Sequence, residues 1–443
     1  MRRRLLIALV AVLCVCGPAS AATGRASGDP LQSQEWWLAD IGADQVAPPG
    51  PGVPITTVDS GVDPTHPEFA GRPNTFFLNA QTVTGVDEFH GTAVASVAAA
   101  PQNGIGIVGV YPQAVLQSWD ASPVSDVVDF SAAQGIATAA QHCPGVINLS
   151  FSGTSPDPLL EAAILGAVHN GCLVVASSGN NGLDGNPPSY PASYPHVLTV
   201  GATDENDAVL PFSSLSTWLD LAAPGVDIVG AVPLSHDPSG YESGLAGTSF
   251  SAPIVSAAAA WVWTVRPTLR RSQLSELLRQ TARDIGPPGF DTGSGYGIVN
   301  IPAALTAPAP AVDPSEPNDD IDQVTPGRLF AAGEPALTTA ARPSSRIFGR
   351  VDSSEDPRDV YRIWVPPHRV VRATIVTGAG DAAARIWGPQ TVSVDEGILP
   401  RRRDLKGPLI RGRAKGFQAY VEVLPTGRTR SASYVLAVTA SKR

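Results

Sequence analysis

A serine, a histidine and an aspartate, each beside glycine or other small residues, stand far apart in this 443-residue chain. Ser249 lies in AGTSFSAPIVSAAAAWVW (246–263), at the head of an almost wholly apolar run that reads as a buried helix. His90 lies in FHGTAVASV, and Asp59 closes the run VPITTVD. A serine hydroxyl is a weak nucleophile at neutral pH and must give its proton to a base as it attacks. Imidazole can take that proton and return it. A carboxylate can hold the imidazole in the required tautomer and stabilise the imidazolium that forms. Asn180, in VVASSGNNG, adds an amide able to donate to an oxyanion. Taken singly, each has a plainer reading: a turn aspartate, a capping histidine, a helix-cap serine, a turn asparagine.

The positions of the four favour the combined reading, because each falls at a strand end or a helix start. Between residues 50 and 305 strand-like runs (VPITTVD, GVINLSF, CLVVASSGN, HVLTVGAT, LDLAAPG) alternate with helical ones (GTAVASVAAA, VVDFSAAQGIATAAQH, PLLEAAILGAVHNG). Apolar strands interleaved with helices predict an α/β fold, a doubly wound and mainly parallel sheet covered on both faces. In such sheets working residues collect at the carboxyl ends of strands and at helix N-termini. Ser249 at a helix start also gains the positive end of the helix, and Pro253 in the first turn loses no needed N–H.

Beyond this stretch the texture changes. TAPAPAVDPSEPNDD (306–320) reads as a Pro/Ala/acidic linker, and short strand candidates without helices fill 321–443, predicting a small all-β sandwich. The basic stretch 399–407 reads as an exposed hairpin tip. At the other end, Met1–Ala21 has a basic start, an apolar middle and a small-x-small cleavage pattern, as a secretory signal does. The mature chain is therefore expected to start near Ala22, with the α/β unit over 22–305, and to be exported as a monomer without a membrane anchor. Residues 22–312 carry 25 acids against seven arginines and no lysine, a balance of −18, which excludes nucleic acid as the partner of this part. Residues 313–443 carry 15 acids against 20 bases and could meet an anionic cell wall or matrix. Cys14 and Cys16 leave with the signal. Cys143 and Cys172 remain, each just before a strand-like run, and either bridge in an oxidising compartment or stay as two buried thiols.

TTVDSGVDPTHPEF, HGTAVASV, SSGNNG and GTSFSAP together resemble the Asp, His, oxyanion and Ser blocks of the subtilisin family of serine peptidases, in that family's order. The resemblance runs from about Asp29 to Leu305. It implies endopeptidase activity on protein or peptide substrates, with Asp59, His90 and Ser249 as the triad and Asn180 as oxyanion donor. It further implies that Ser150, Phe151, Ser152 and Gly153 pair with the substrate backbone and wall its primary pocket. Ser177, Ser178 and Gly179 are implied as the opposite wall. Ser152 replaces a usual glycine and narrows the pocket. A structural Ca²⁺ is also implied, held by Asp29, Glu68 and Asn103 with the carbonyls of Pro101, Ile105 and Ile107, an oxygen-only set suited to a hard cation. The family's folded propeptide has no counterpart in the few residues between Ala22 and Asp29. DPSEPNDD and RDVYRIWVP resemble the bacterial pre-peptidase C-terminal domain. The rival reading is a spent peptidase scaffold acting as a cell-wall or matrix adhesin, which four intact catalytic elements argue against.

Overall fold

The structure is a computed structural model, and it describes residues 28–83, 88–122, 127–310, 336–352, 358–378, 380–389, 391, 407–426 and 431–442. The signal segment, most of the linker and most of the basic stretch 399–407 lie outside these.

Seven strands form one parallel sheet: β1 (Ile55–Asp59), β2 (Thr75–Phe77), β3 (Leu116–Asp120), β4 (Val146–Leu149), β5 (Leu173–Ser177), β6 (Val197–Thr203) and β7 (Leu219–Pro224). Their spatial order is β2-β3-β1-β4-β5-β6-β7, so the chain leaves β1 for the edge at β2, returns through β3, and then runs outward on the other side of β1 from β4 to β7. The reversal opens a crevice at the carboxyl end of β1, the place where open α/β sheets bind ligands. Every residue of β1, β4, β5, β6 and β7 is buried, which is why their sequences lack polar alternation.

Alternate strand residues serve two separate cores. Ile55, Val146, Leu173 and Val175 face helices α2 (His90–Ala99), α5 (Thr248–Val265) and α6 (Arg271–Thr281). Val58, Ile147, Val174 and Ala176 face α3 (Asp129–Ala139) and α4 (Pro158–His169). The period of two across a parallel sheet clad on both sides is the predicted α/β architecture. Two short helices, α1 (Trp36–Asp40) and α7 (Ile301–Thr306), and a hairpin of β8 (Ile228–Ala231) and β9 (Tyr241–Leu245) complete this part. Of the described helices, α5 has the length and apolarity to cross a membrane, but 83% of it is buried inside the protein. It is a core helix, as its small residues predict. The sequence reading missed β2 and β3, because LQSWD carries polar residues that find partners on β1 and in the segment around Gln81.

Seven further strands follow: β10 (Ser345–Asp352), β11 (Asp359–Val365), β12 (Arg369–Thr377), β13 (Ala382–Trp387), β14 (Leu409–Arg411), β15 (Phe417–Pro425) and β16 (Ser431–Lys442). They pair antiparallel as β10-β16-β12-β14 and β11-β15-β13, around one core that includes Val351, Ile363, Val371, Ile386, Val421 and Leu436. This is an all-β unit, as the short alternating runs predict. Three-residue β14 was too short to read.

Cys143 and Cys172 are joined by a disulfide across 29 residues, with Cα atoms 5.0 Å apart. The bridge ties the segment before β4 to the one before β5, and β4 and β5 are adjacent. By loop closure alone, such a link stabilises the fold by roughly 3 kcal/mol. The Cys143→Ser/Cys172→Ser double variant should therefore melt several degrees lower by calorimetry. An unchanged midpoint would show the bridge to be energetically idle.

Candidate active site

Asp59 is the last residue of β1 and only 2% exposed. His90 is the first residue of α2, and its Nδ1 lies 2.8 Å from Asp59 Oδ1. Two contacts bring that helix start against the strand end. Gly91 N–H donates to Ser60 Oγ at 2.9 Å. Gly91 also packs so tightly on Gly61 that a Cβ would overlap the Gly61 backbone carbonyl. Only glycine lets α2 approach this closely. Because a carboxylate can only accept, Nδ1 carries the proton and Nε2 keeps its lone pair. Burial works against a charged ring, but the Asp59 charge and hydrogen bond prevail and raise the His90 pKa above its ordinary value.

Ser249 is the second residue of α5, and the next residue, Phe250, stacks obliquely with His90 at 5.9 Å between ring centroids. Its hydroxyl donates to the Ser150 carbonyl at 3.0 Å, and Ser150 Oγ donates back to the Ser249 carbonyl at 2.8 Å. A buried chain supports this exchange: Ser256 Oγ donates to Asn148 Oδ1 at 2.9 Å, and Asn148 Nδ2 to Ser150 Oγ at 2.9 Å. The nucleophile-bearing turn is thus laced to the end of β4. Sequence reading missed Asn148 and Ser256, and Asn148, a polar residue inside an apolar strand, was the available signal.

Asn180 follows β5. Its Oδ1 accepts from both Thr248 N–H and Thr248 Oγ1 at 3.0 Å. Those two donors fix which end of the amide is which, leaving Nδ2 as a donor beside Gly247 and the start of α5. Thr248, one of the small residues at the head of the apolar run, thus orients the amide.

A cleft of about 500 Å³ opens beside the Asp59–His90 pair. Asp59, Ser60, His90, Ser150, Phe151, Ser152 and Gly153 line it, and Tyr190, Asp129 and Asp157 extend it. Gly153 and Tyr190 exchange backbone hydrogen bonds at 2.8 Å, which fixes the segment 150–153 as one wall. Ser177, Ser178 and Gly179 run from the end of β5 directly into Asn180. Ser177 and Ser178 are buried, and Ser178 N–H extends the β5 ladder to the Val200 carbonyl at 2.9 Å. Ser178 faces a second cavity of about 150 Å³, which Ser189 and Ser214 also line.

Asp29, Glu68 and Asn103 do come together, joined by Glu35, which sequence reading missed. Burial pushes Glu35 up to about 8 and Glu68 up to about 7. Their oxygens, however, face hydrogen donors. Asp29 accepts from the backbone N–H groups of Asn103 and Gly104. Glu68 accepts from Ile107 N–H, the Asn103 side-chain amide and the Tyr241 hydroxyl. Asn103 turns its NH₂ to the acid because its Oδ1 is held by Ile105 N–H at 3.0 Å. Among the described residues no group of three or more His, Cys, Asp or Glu is arranged to hold a metal. Subtilisins commonly bind structural calcium, and this corner gathers the side chains that the resemblance assigns to one.

An imidazole–carboxylate pair and a helix-start serine at the switch point of a parallel sheet mark the serine-dependent hydrolases as the class. The model of the Subtilase family matches residues 50–297. Subtilisin Savinase of Lederbergia lenta is 38% identical over 256 residues, 58% of this chain and 91% of that protein. Fervidolysin of Fervidobacterium pennivorans is 34% identical over 327 residues, 66% of this chain and 46% of that protein. A psychrophilic subtilisin-like protease from the Antarctic psychrotroph Pseudoalteromonas sp. AS-11 shares the fold, with a TM-score of 0.54 at 20% identity over 61% of this chain and 96% of that one. The chain belongs to the subtilase family and is a subtilisin-type serine peptidase.

Proposed function

We propose that the protein is a secreted endopeptidase in which Asp59, His90 and Ser249 act as the triad. The observation that carries this reading is the 2.8 Å Asp59–His90 pair beside the start of α5, which presents Ser249. A substrate strand lies along Ser150–Gly153, with its scissile carbonyl over Ser249. The hydroxyl leaves the Ser150 carbonyl by rotation about χ1 and passes its proton to His90 Nε2 as Oγ attacks. Asn180 Nδ2 and the backbone N–H at the head of α5 hold the oxyanion. His90 then protonates the departing amine, leaving an acyl-enzyme that water hydrolyses by the same steps reversed. Ser152 projects into the cleft and favours a smaller side chain before the cut. Residues 22–305 form the peptidase, 306–320 the linker and 321–443 a pre-peptidase-like sandwich facing an anionic wall or matrix. Export follows from the signal-like start.

Purified chain should cleave a denatured protein at internal bonds and lose that activity to a serine-directed sulfonyl fluoride. A folded sample that cuts no member of a diverse peptide library would end this reading. In Asn180→Ala, kcat should fall by about 10²–10³ with KM little changed, a magnitude taken from a subtilisin. A matching rise in KM alone would make Asn180 a ground-state binding residue instead.

A further inference from the structure

We propose that α6 carries a docking surface for the chain's own C-terminal β unit, held by an ion-pair cluster of Glu276 and Arg279 with Arg350 and Asp352, so that the two units form one body. The α6 side is anchored within the α/β unit. Arg279 is 5% exposed and donates through Nη1 to Asp220 Oδ1 of β7 at 3.1 Å. Its Nε and Nη2 donate to Glu276 Oε2 at 3.2 and 3.0 Å. Asp220 is held in turn, since its Oδ2 accepts from Thr199 N–H on β6 at 2.8 Å. The planar guanidinium is thereby fixed to the edge strand of the sheet.

The β unit supplies the other half from the end of β10. Arg350 donates through Nη1 to Glu276 Oε1, and through Nε to Ser431 Oγ at the start of β16 at 3.0 Å. Asp352 Oδ1 lies 3.8 Å from Arg279 Nη1. Glu276 thus faces a cation from each unit, one at each oxygen. Burial would lift its carboxyl, but the Arg279 and Arg350 charges prevail and hold it below its ordinary value.

Exposure along β10 traces the same contact. Val351 points into the core of the β unit, so strand alternation puts Phe348, Arg350 and Asp352 on the opposite face. Along that face exposure falls from 62% at Phe348 to 3% at Asp352. A carboxylate on the outer face of an edge strand is buried only where another element covers it, and Arg279 brings α6 there. The chain leaving the α/β unit follows the same helix, where the Pro310 carbonyl accepts from Gln273 Nε2 at 2.7 Å. The contact lies away from the cleft. Asp220 is the second residue of β7, and in a parallel sheet that end is opposite the one where Asp59 closes β1.

The full chain, made as Ser249→Ala to prevent self-digestion, serves for two measurements. In small-angle X-ray scattering the parent should be compact. Arg350→Glu sets like charges face to face and should enlarge the radius of gyration by several ångströms, on the scale a flexible linker allows. A parent already as extended as Arg350→Glu, or a variant as compact as the parent, would overturn docking through these charges. Calorimetry uses milder substitutions. Glu276→Gln and Arg350→Gln should each lower the midpoint of the main transition by about 3 °C, and the double variant by no more than the larger single effect. Unchanged midpoints, or effects that add in full, would show that the two residues do not act on one another across the units. Neither measurement depends on whether the chain cleaves peptides.

Discussion

Ser249→Ala should abolish peptide-bond hydrolysis, with kcat falling by about 10⁶, a magnitude known from a subtilisin and carried over from the family. The physical reason is that no other described side chain combines its features. It is a hydroxyl at a helix N-terminus, beside Asn180 and the pair formed by His90 and Asp59. Its loss removes the attacking atom and with it the covalent intermediate. The fold should be untouched, because Ser249 Oγ makes one hydrogen bond, to the Ser150 carbonyl. The reciprocal bond from Ser150 Oγ to the Ser249 backbone carbonyl survives the substitution. Steady-state assays on a peptide amide, with circular dichroism as the control, would check both halves. Residual cleavage within tenfold of the parent would mean that another group attacks.

Asp59→Asn should cost about 10⁴ in kcat, again on the scale known for a triad aspartate. An amide at residue 59 can offer its NH₂ to His90 Nδ1, which would place the ring proton on Nε2 and block proton uptake from Ser249. The same substitution alters pH behaviour. The base form of His90 is needed for attack, so kcat/KM should fall as pH drops through its pKa, which lies above the ordinary imidazole value. Without the Asp59 charge that inflection should move to lower pH. Stability follows the opposite limb. A histidine whose folded pKa is raised stabilises the native state below its unfolded pKa, and this contribution fades as pH climbs through the folded one. Asp59→Asn should therefore lose most stability in acid and least in alkali. A pH–rate profile unchanged in shape would detach Asp59 from the imidazole.

Much of this was legible because buried parallel strands, glycine-flanked polar residues and a small-residue helix leave strong local signals. Asp59, His90 and Ser249 each sit at an element boundary marked by composition alone. What escaped reading was whatever depends on pairing across the sheet. β3 is polar in sequence because Gln117 and Ser118 find partners in Thr56 and Gln81, distant segments that no local pattern reveals. Thr248 looks like a spare cap until Asn180 is seen against it. Ser177 closes β5 and Ser178 continues its ladder by one bond, a placement set by where the strand ends. The corner at Asp29 shows the sharpest limit. The resemblance brought Asp29, Glu68 and Asn103 together, but the backbone donors that the loop turns toward Asp29 and Glu68 show in no local pattern.

Covalent trapping with a fluorophosphonate, followed by mass mapping of the modified peptide, addresses the central claim most directly. One label per folded chain should be found, on Ser249, forming far more slowly in His90→Ala and not at all after unfolding. A folded chain that takes up no label, or takes it up on another residue at an undiminished rate in Ser249→Ala, would contradict the account.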